Sequence, residues 1–342
     1  MPNLTHAHRE LFRRSADERF ASVADLAEHC RCQKAASVDS WHPPQELRLK
    51  PIEDSLHLTA GTDGAFALND WGFTQLCGLA RVSKETVNRL LPETASRVFA
   101  DTLVPYGNKP LQLLTSGERL RSIHGVAYTR LWNLDLINVV REFAVDFQPP
   151  QQAATGGTGL YAGEQDMFCF LIDPAGWTEI ESQAFAPGFF VWNSEVGKRS
   201  LGFSSFWFQA VCQNHIVWDA VEVVEFSRKH TANVHDALAD VRRGIDALVA
   251  KRDERKDGFV RVIRKAMQES LGTDDEAVEK LLAKEGITRS LAKQALEIAR
   301  QQGRFTIFSV VDALTRIAQQ EGNAGDRLNA DQQAAKLLAL AG

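Results

Sequence analysis

Apolar and polar side chains alternate along residues 46–68 (ELRLKPIEDSLHLTAGTDGAFAL), and Gly61-Thr62-Asp63-Gly64 supplies a turn, so the period of two predicts a β-hairpin. A second hairpin is read in KPLQLLTSGERLRSIHGVAY, with Ser116-Gly117 at its turn. Asn133 then stands where it can cap an amphipathic helix whose apolar face is Leu136, Val139, Val140 and Phe143, which makes a β-β-α unit. Upstream, Leu11, Phe12, Phe20, Val23, Leu26 and Ala27 predict a short N-terminal helix pair with Ser22 as an N-cap, closed by the break Trp41-His42-Pro43-Pro44. Between the hairpins, Asn69 or Asp70 caps a helix over 71–80, Ser83 starts a second that ends before Pro92, and a third runs from Glu93 to about Leu103.

Residues 148–159 (QPPQQAATGGTG) hold Pro and Gly and few large apolar groups, and read as a mobile loop. Beyond them DMFCFLID, GFFVWNSE, SLGFSSFWFQAVCQNHIVW and VEVVEF are rich in aromatic and β-branched residues and predict the main strands, with part of 204–213 open to a helical reading. From Thr231 the period turns helical, over 233–256, 259–271, 274–285, 290–302, 309–320 and 330–340. The pattern predicts an α+β protein: an antiparallel or mixed sheet with β-β-α units, then an all-helical C-terminal domain. The expected divisions are an N-terminal helical segment over 1–45, an α+β domain over 46–228 and a helical domain over 229–342. Hairpin 111–128 and the strands of 166–226 are expected in one sheet, with the helices as a separate layer or lobe.

Composition adds bounds rather than chemistry. The 342 residues are 44% hydrophobic and 24% charged, a globular balance. No apolar run is long enough for a membrane span, and the charged opening MPNLTHAHRELFRRSADERF carries no signal-peptide pattern, so a cytoplasmic protein without membrane contact is expected. Net charge is −5, but from Arg228 onward 20 Lys and Arg face 17 Asp and Glu, which leaves −8 for residues 1–227 and lets the C-terminal part meet an acidic partner. The cysteines, Cys30, Cys32, Cys77, Cys169 and Cys212, are odd in number, and disulfides are not expected. His29-Cys30-Arg31-Cys32 lacks the second ligand pair that a zinc site needs.

No enzyme motif is present, and the catalytic residues are not assigned. Gly156-Gly157-Thr158-Gly159 is followed by a strand rather than by the helix of a phosphate loop. His215, His230 and His235, with Asp219 and Asp236, could form a metal cluster, and Asp166, Asp173, Glu179 and Glu181 could supply paired carboxylates, although both sets also fit structural or solvated positions. More informative is Asn193-Ser194-Glu195-Val196-Gly197-Lys198-Arg199, which sets two cations and a Gly between aromatic-rich strands. Cations beside aromatic faces suit phosphate contact with base stacking. A second constellation is Cys212, Asn214, Arg228, His230 and Thr231. Here Thr231 is expected to cap a helix, His230 to bond a strand carbonyl, and Cys212 with Asn214 to support it from the neighbouring strand.

NSEVGKRSLGFSSFWFQAVCQNHIVW followed by SRKHTANVHDAL resembles the signature of the phage- and plasmid-borne family known as domain of unknown function nine hundred and thirty-two, the phage/plasmid-like proteins. Further similarity lies in LFRRSADERFASVADLAEHC, in ALNDWGFTQLCGLARVSKETVNRLLPE, in the hairpin at 120–125 and in FTIFSVVDALTRIAQ, and it spans about residues 9–320. His215 and the ending Gly125-Val126-Ala127-Tyr128 depart from the family pattern. Asn193, Glu195, Gly197, Cys212, Asn214, Arg228, His230 and Thr231 match it. The resemblance implies a mobile-element protein in a DNA-processing setting and names no reaction. The expectation is a non-enzymatic DNA-binding protein, a single-strand binder or annealing factor working as an oligomer, with Asn193, Ser194, Glu195, Gly197, Lys198 and Arg199 as contacts and neither cofactor nor metal. The alternatives are a protein-binding anti-restriction or host-interaction factor, which would use the C-terminal helices, and a metal-dependent enzyme.

Overall fold

The structure is a computed structural model that describes residues 9–103, 109–150, 159–210, 214–217, 225–301, 303 and 305–341. Residues 9–17 are irregular, because Asn88 holds them extended: its Oδ1 accepts from the Leu11 and Phe12 amides at 2.9 and 2.7 Å. After β1 (Glu18–Arg19) comes α1 (Val23–Ala35), capped by Ser22, so the expected helix pair is one helix.

Strands β2 (Ser37–His42), β3 (Leu47–Ile52), β4 (Ser55–Ala60) and β5 (Ala65–Leu68) follow. The first expected hairpin is thus a three-stranded meander, with an additional turn at Glu53-Asp54 where Glu53 takes φ +50°. Helices α2 (Asp70–Ala80) and α3 (Lys84–Val87) are capped by Asn69 and Ser83 as expected, and α4 (Pro92–Thr102) opens on its proline. The hairpin β6 (Leu111–Ser116) and β7 (Arg119–His124) and helix α5 (Asn133–Phe143) complete the first half. Its six strands form a mixed sheet in the order β2-β6-β7-β5-β4-β3, antiparallel except for β5 beside β7. Phe12, Leu56, Leu58, Phe73, Phe99, Leu113 and Leu120 fill the core under α2 and α4.

A second, curled antiparallel sheet holds β8 (Leu160–Ala162), β9 (Met167–Ile172), β10 (Thr178–Ile180), β11 (Gln183–Asn193), β12 (Leu201–Gln209), β13 (Asn214–Ile216) and β14 (Phe226–Arg228). Its order is β1-β8-β9-β11-β12-β13, with β10 beside β11 and β14 beside β12. The hairpin β6-β7 therefore does not join the later strands. Both its outer edges are already taken, by β2 and by β5, inside the first sheet. Residues 204–209 are strand rather than helix. Every residue of β12 is buried, Ser204, Ser205 and Gln209 included, because the sheet is covered on both faces and the alternation of a half-exposed strand disappears.

On one face Phe189, Val191, Leu201 and Phe203 meet α1, α5 and α6 (Ala237–Ala250). Phe168, Phe170, Phe190, Phe206 and Phe208 line the other, where Ala324 and Leu328 of α11 (Ala324–Ala335) cover them. Between those helices run α7 (Arg252–Gln268), α8 (Asp275–Lys284), α9 (Arg289–Arg300) and α10 (Ile307–Ala318), and a 3-10 turn over Lys336–Ala341 closes the described chain. These helices share a core with the sheet through Phe185, Trp207 and Ile216; the Trp207 and Phe259 rings stack 3.9 Å apart and 6° from parallel. The fold is α+β. The expected loop over 148–159 falls mostly outside the described residues, although Gln148 pairs with Ile172.

Candidate functional site

The connection between β11 and β12 joins the two sheets. Asn193 and Ser194 are fully buried and Glu195 almost so, and each spends its side chain inside the protein. Asn193 donates to the Leu131 carbonyl at 2.9 Å and to Asn133 Oδ1 at 2.8 Å, and the Ser194 hydroxyl donates to the Gln165 carbonyl at 2.5 Å. Glu195 Oε1 accepts from the Asn133 amide at 2.9 Å, and its Oε2 pairs with Arg121 of β7 at 3.0 Å. A carboxylate from a distant loop thereby occupies the N-terminus of α5, where Trp132 has no capping side chain. Asn133 is the first residue of that helix and not its expected cap, since its side chain accepts from Asn193.

The next carbonyl, Val196, accepts from Trp71 Nε1 at 2.6 Å and from His124 Nε2 at 2.9 Å. Because a carbonyl only accepts, His124 carries its proton on Nε2. The Glu195 carbonyl accepts from Tyr128 Oη at 2.8 Å and from Arg130. Gly197 sits at φ +73°, and a Cβ there would lie 2.5 Å from His124 Cε1. Among the expected contacts, then, Asn193, Ser194 and Glu195 are interior bolts and not surface groups.

The cations that follow point elsewhere. Arg199 pairs through Nε with Asp166 at 2.8 Å, and Asp166 also holds Arg14 at 2.9 Å. Lys198 is largely exposed, its ammonium 4.8 Å from the centre of the Trp71 ring, and partial desolvation beside that ring, with Arg14 and Arg199 nearby, lowers its pKa. Lys198 and Arg199 form one wall of an open cleft of about 450 Å³. Lys229, His230 and Thr231, just past β14, form another, and His124, Gly125, Ala127 and Tyr128, at the end of β7, form a third. Among the described residues no carboxylate lines it. Gly125 and Ala127 also border an apolar pocket of about 280 Å³ that includes Leu79, Leu103, Pro110 and Val126.

Three rings stack along the cleft wall, His124 on Tyr128 at 3.6 Å and Tyr128 on His230 at 5.3 Å. Burial pushes the pKa of His124 down to about 4, helped by Arg130, and burial does the same for His230. Both rings are neutral at pH 7. The backbones of Thr129 and Arg199 approach His230 and oppose that shift, yet neither ring nitrogen makes a hydrogen bond of ordinary geometry. The expected bond from His230 to a strand carbonyl is therefore not formed. Instead the His230 carbonyl accepts from the Thr129 amide at 3.1 Å. Thr231 is exposed and caps nothing through its hydroxyl, because the chain first makes a 3-10 turn over Val234–Asp236.

The second expected constellation divides. Arg228 pairs with Leu201 at one end of β12 and its guanidinium meets Asp240 at 3.3 Å, whereas Asn214 pairs with Gln209 at the opposite end. Eight residue steps along β12, from Leu201 to Gln209, separate them, about 26 Å at ~3.3 Å per residue, so Asn214 cannot support His230. Cys212 and Asp219 lie outside the described residues. His215 is buried against Phe170, 4.3 Å between ring centres, and His235 is exposed. Among the described residues no group of three or more His, Cys, Asp or Glu side chains is placed to hold a metal ion. Asp166 and Asp173 are buried in ion pairs with arginines, while Glu179 in β10 and Glu181 in the turn that follows it are exposed.

What the sequence reading missed is the third wall. His124 and Tyr128 closed a hairpin in that reading, and only their place opposite Gly197 makes them part of a site. Compared with known proteins, the chain matches no family model, no curated protein and no solved structure.

Proposed function

We propose that this protein binds a single strand of nucleic acid, DNA in the mobile-element setting that the sequence resemblance implies, and acts without catalysis. One observation carries the reading: the chain brings Lys198 and Lys229 from separate segments to a cleft that has a stacked aromatic wall and no acidic lining among the described residues. Two exposed ammonium groups attract phosphate, and ring edges with an adjoining apolar pocket give bases a surface that tolerates any sequence. At about 450 Å³ the cleft has the size of a nucleotide site and not that of a groove for a duplex. An overall charge of −5 restricts binding to such a local patch. Among the described residues no helix is long and apolar enough to cross a membrane.

The test is fluorescence anisotropy with a labelled deoxythymidine oligomer and a duplex of equal length, across a salt series. The single strand is expected to bind more tightly. Lys198→Ala with Lys229→Ala should weaken binding and reduce the salt slope by about 1.4, at ~0.7 per phosphate contact on a single strand. A folded double variant with unchanged affinity and slope removes the cleft from the account.

A further inference from the structure

The mixed sheet ends in two edge strands, β3 and β2, and only β3 is protected. That strand carries Arg48, Lys50 and Pro51, the Leu47 and Leu49 carbonyls accept from the side chains of Arg48 and Ser96 at 2.8 Å each, and α4 packs against it. Charge, proline and an adjoining helix are the devices that keep a strand edge from pairing with another chain. β2 has none of them. Ser37–His42 contains no Lys, Arg or Pro, and its one charged residue, Asp39, is held by Arg130 at 2.8 Å. Among the described residues β6 is the only strand that pairs with it. The strand also exposes two large apolar side chains, Val38 at 60% and Trp41 at 49%. Side chains alternate along a strand, so these two stand on opposite faces of the sheet. A partner packed on one face would cover one of them, whereas a strand added to the edge meets both.

We infer that β2 is the seat of a two-fold dimer, in which β2 of a second copy pairs with it antiparallel and joins the two mixed sheets into one. The strand is complementary to itself. A two-fold axis normal to the sheet pairs only residues of the same face, so it passes through a residue and not between two. Through Asp39 it would set two carboxylates directly opposite each other, which is destabilising. Through Ser40 it sets Ser40 against Ser40 of the second copy and Asp39 against Trp41 of the second copy, and it leaves the two indoles diagonal neighbours across the axis, within reach of each other. The same patch serves both copies, so the assembly closes at two chains. The inference does not rest on the nucleic-acid reading.

Sedimentation equilibrium of the full chain tests it. Two paired strands make a small interface, so the mass is expected to rise from one chain towards two over roughly 2–200 µM. Trp41→Glu sets a carboxylate opposite Asp39 of the second copy and should weaken association at least tenfold, while its thermal midpoint at low concentration stays that of the wild type because the side chain is half-exposed. Cysteine cross-linking reads the register, in a Cys32→Ser background that removes an exposed thiol. Ser40→Cys should give a covalent dimer on mild oxidation, since directly opposed residues have Cα atoms ~4.5–5.5 Å apart, within disulfide reach. Val38→Cys should not, because its counterpart lies four residues away, about 13 Å along the strand. A single-chain mass at every concentration overturns the dimer and leaves the edge to a strand of another protein. Association that Trp41→Glu does not weaken, or cross-linking that Ser40→Cys does not favour over Val38→Cys, overturns the paired edge.

Discussion

Replacing Glu195 by Ala removes two supports at once. Arg121 is 8% exposed, and its remaining side-chain bond reaches Ser37 Oγ at 2.9 Å, so loss of the carboxylate leaves a buried guanidinium without its counter-charge. Breaking a buried pair by removing one partner costs ~3–5 kcal/mol. The Asn133 amide at the start of α5 also loses its acceptor, worth ~1 kcal/mol as a lost cap, and the two costs overlap because one carboxylate serves both. A net loss of about 4 kcal/mol is expected. With a urea dependence of about 3 kcal/mol per molar for a chain of this size, the unfolding midpoint should fall by somewhat more than 1 M with the slope unchanged. The double variant with Arg121→Met no longer buries a lone charge and should recover ~1–3 kcal/mol of the loss. A midpoint shift below about 0.3 M for Glu195→Ala, or strictly additive single and double variants, would refute the picture of Glu195 as the bolt between the sheets.

Gly197→Ala should destabilise by about 2–3 kcal/mol, since it adds a left-handed backbone penalty to a Cβ placed 2.5 Å from His124 Cε1; an unchanged thermal midpoint would disprove that closeness. His124 and His230 have folded pKa values near 4 against ~6.5 unfolded, so between those values the unfolded chain binds more protons. Stability is therefore full above pH 6.5 and falls as the pH drops towards 4. Unfolding free energies from urea titrations at pH 7 and pH 5 should differ by about 1–2 kcal/mol per ring, and replacing both rings by Phe should remove that part of the pH dependence.

The helices and strands with their own signals were legible. Asn69, Ser22 and Ser83 cap as their side chains suggest, and the β6-β7 turn lies beside Gly117. Sheet membership was not legible. The period of two says that 111–124 is a hairpin but not which neighbour takes each edge, and β5 pairs with β7 in parallel across 50 residues of chain. Caps supplied from a distance were equally hidden. Glu195 serves α5, and Asp17 accepts from the Ala324 amide at the start of α11 across 307 positions, so neither helix end carries its own acceptor. The residues of the β11-β12 connection were found, but with the parts exchanged. The polar side chains that look suited to a ligand, Asn193 and Ser194, are interior, and the cleft takes only the residues after Val196.

That exchange implies a coupling. Lys198 belongs to the second sheet's connection, Lys229 to the segment after its β14, and His124 and Tyr128 to the end of the first sheet, so the width of the cleft is the spacing between the two sheets. The Val196 carbonyl sets that spacing, because it accepts from His124 of β7 and from Trp71 of α2, the helix covering the first sheet. Trp71→Phe removes the 2.6 Å indole bond but keeps a ring beneath Lys198. A lost buried hydrogen bond should cost about 1 kcal/mol of stability. If the carbonyl holds the cleft open to the right width, strand affinity should fall as well, by roughly three- to tenfold, although Trp71 is not among the cleft-lining residues. Urea unfolding and anisotropy on the same variant separate the cases. A stability loss with unchanged affinity would mean that the two sheets hold the cleft without this carbonyl, and that the density of hydrogen bonds around Val196 serves the fold alone.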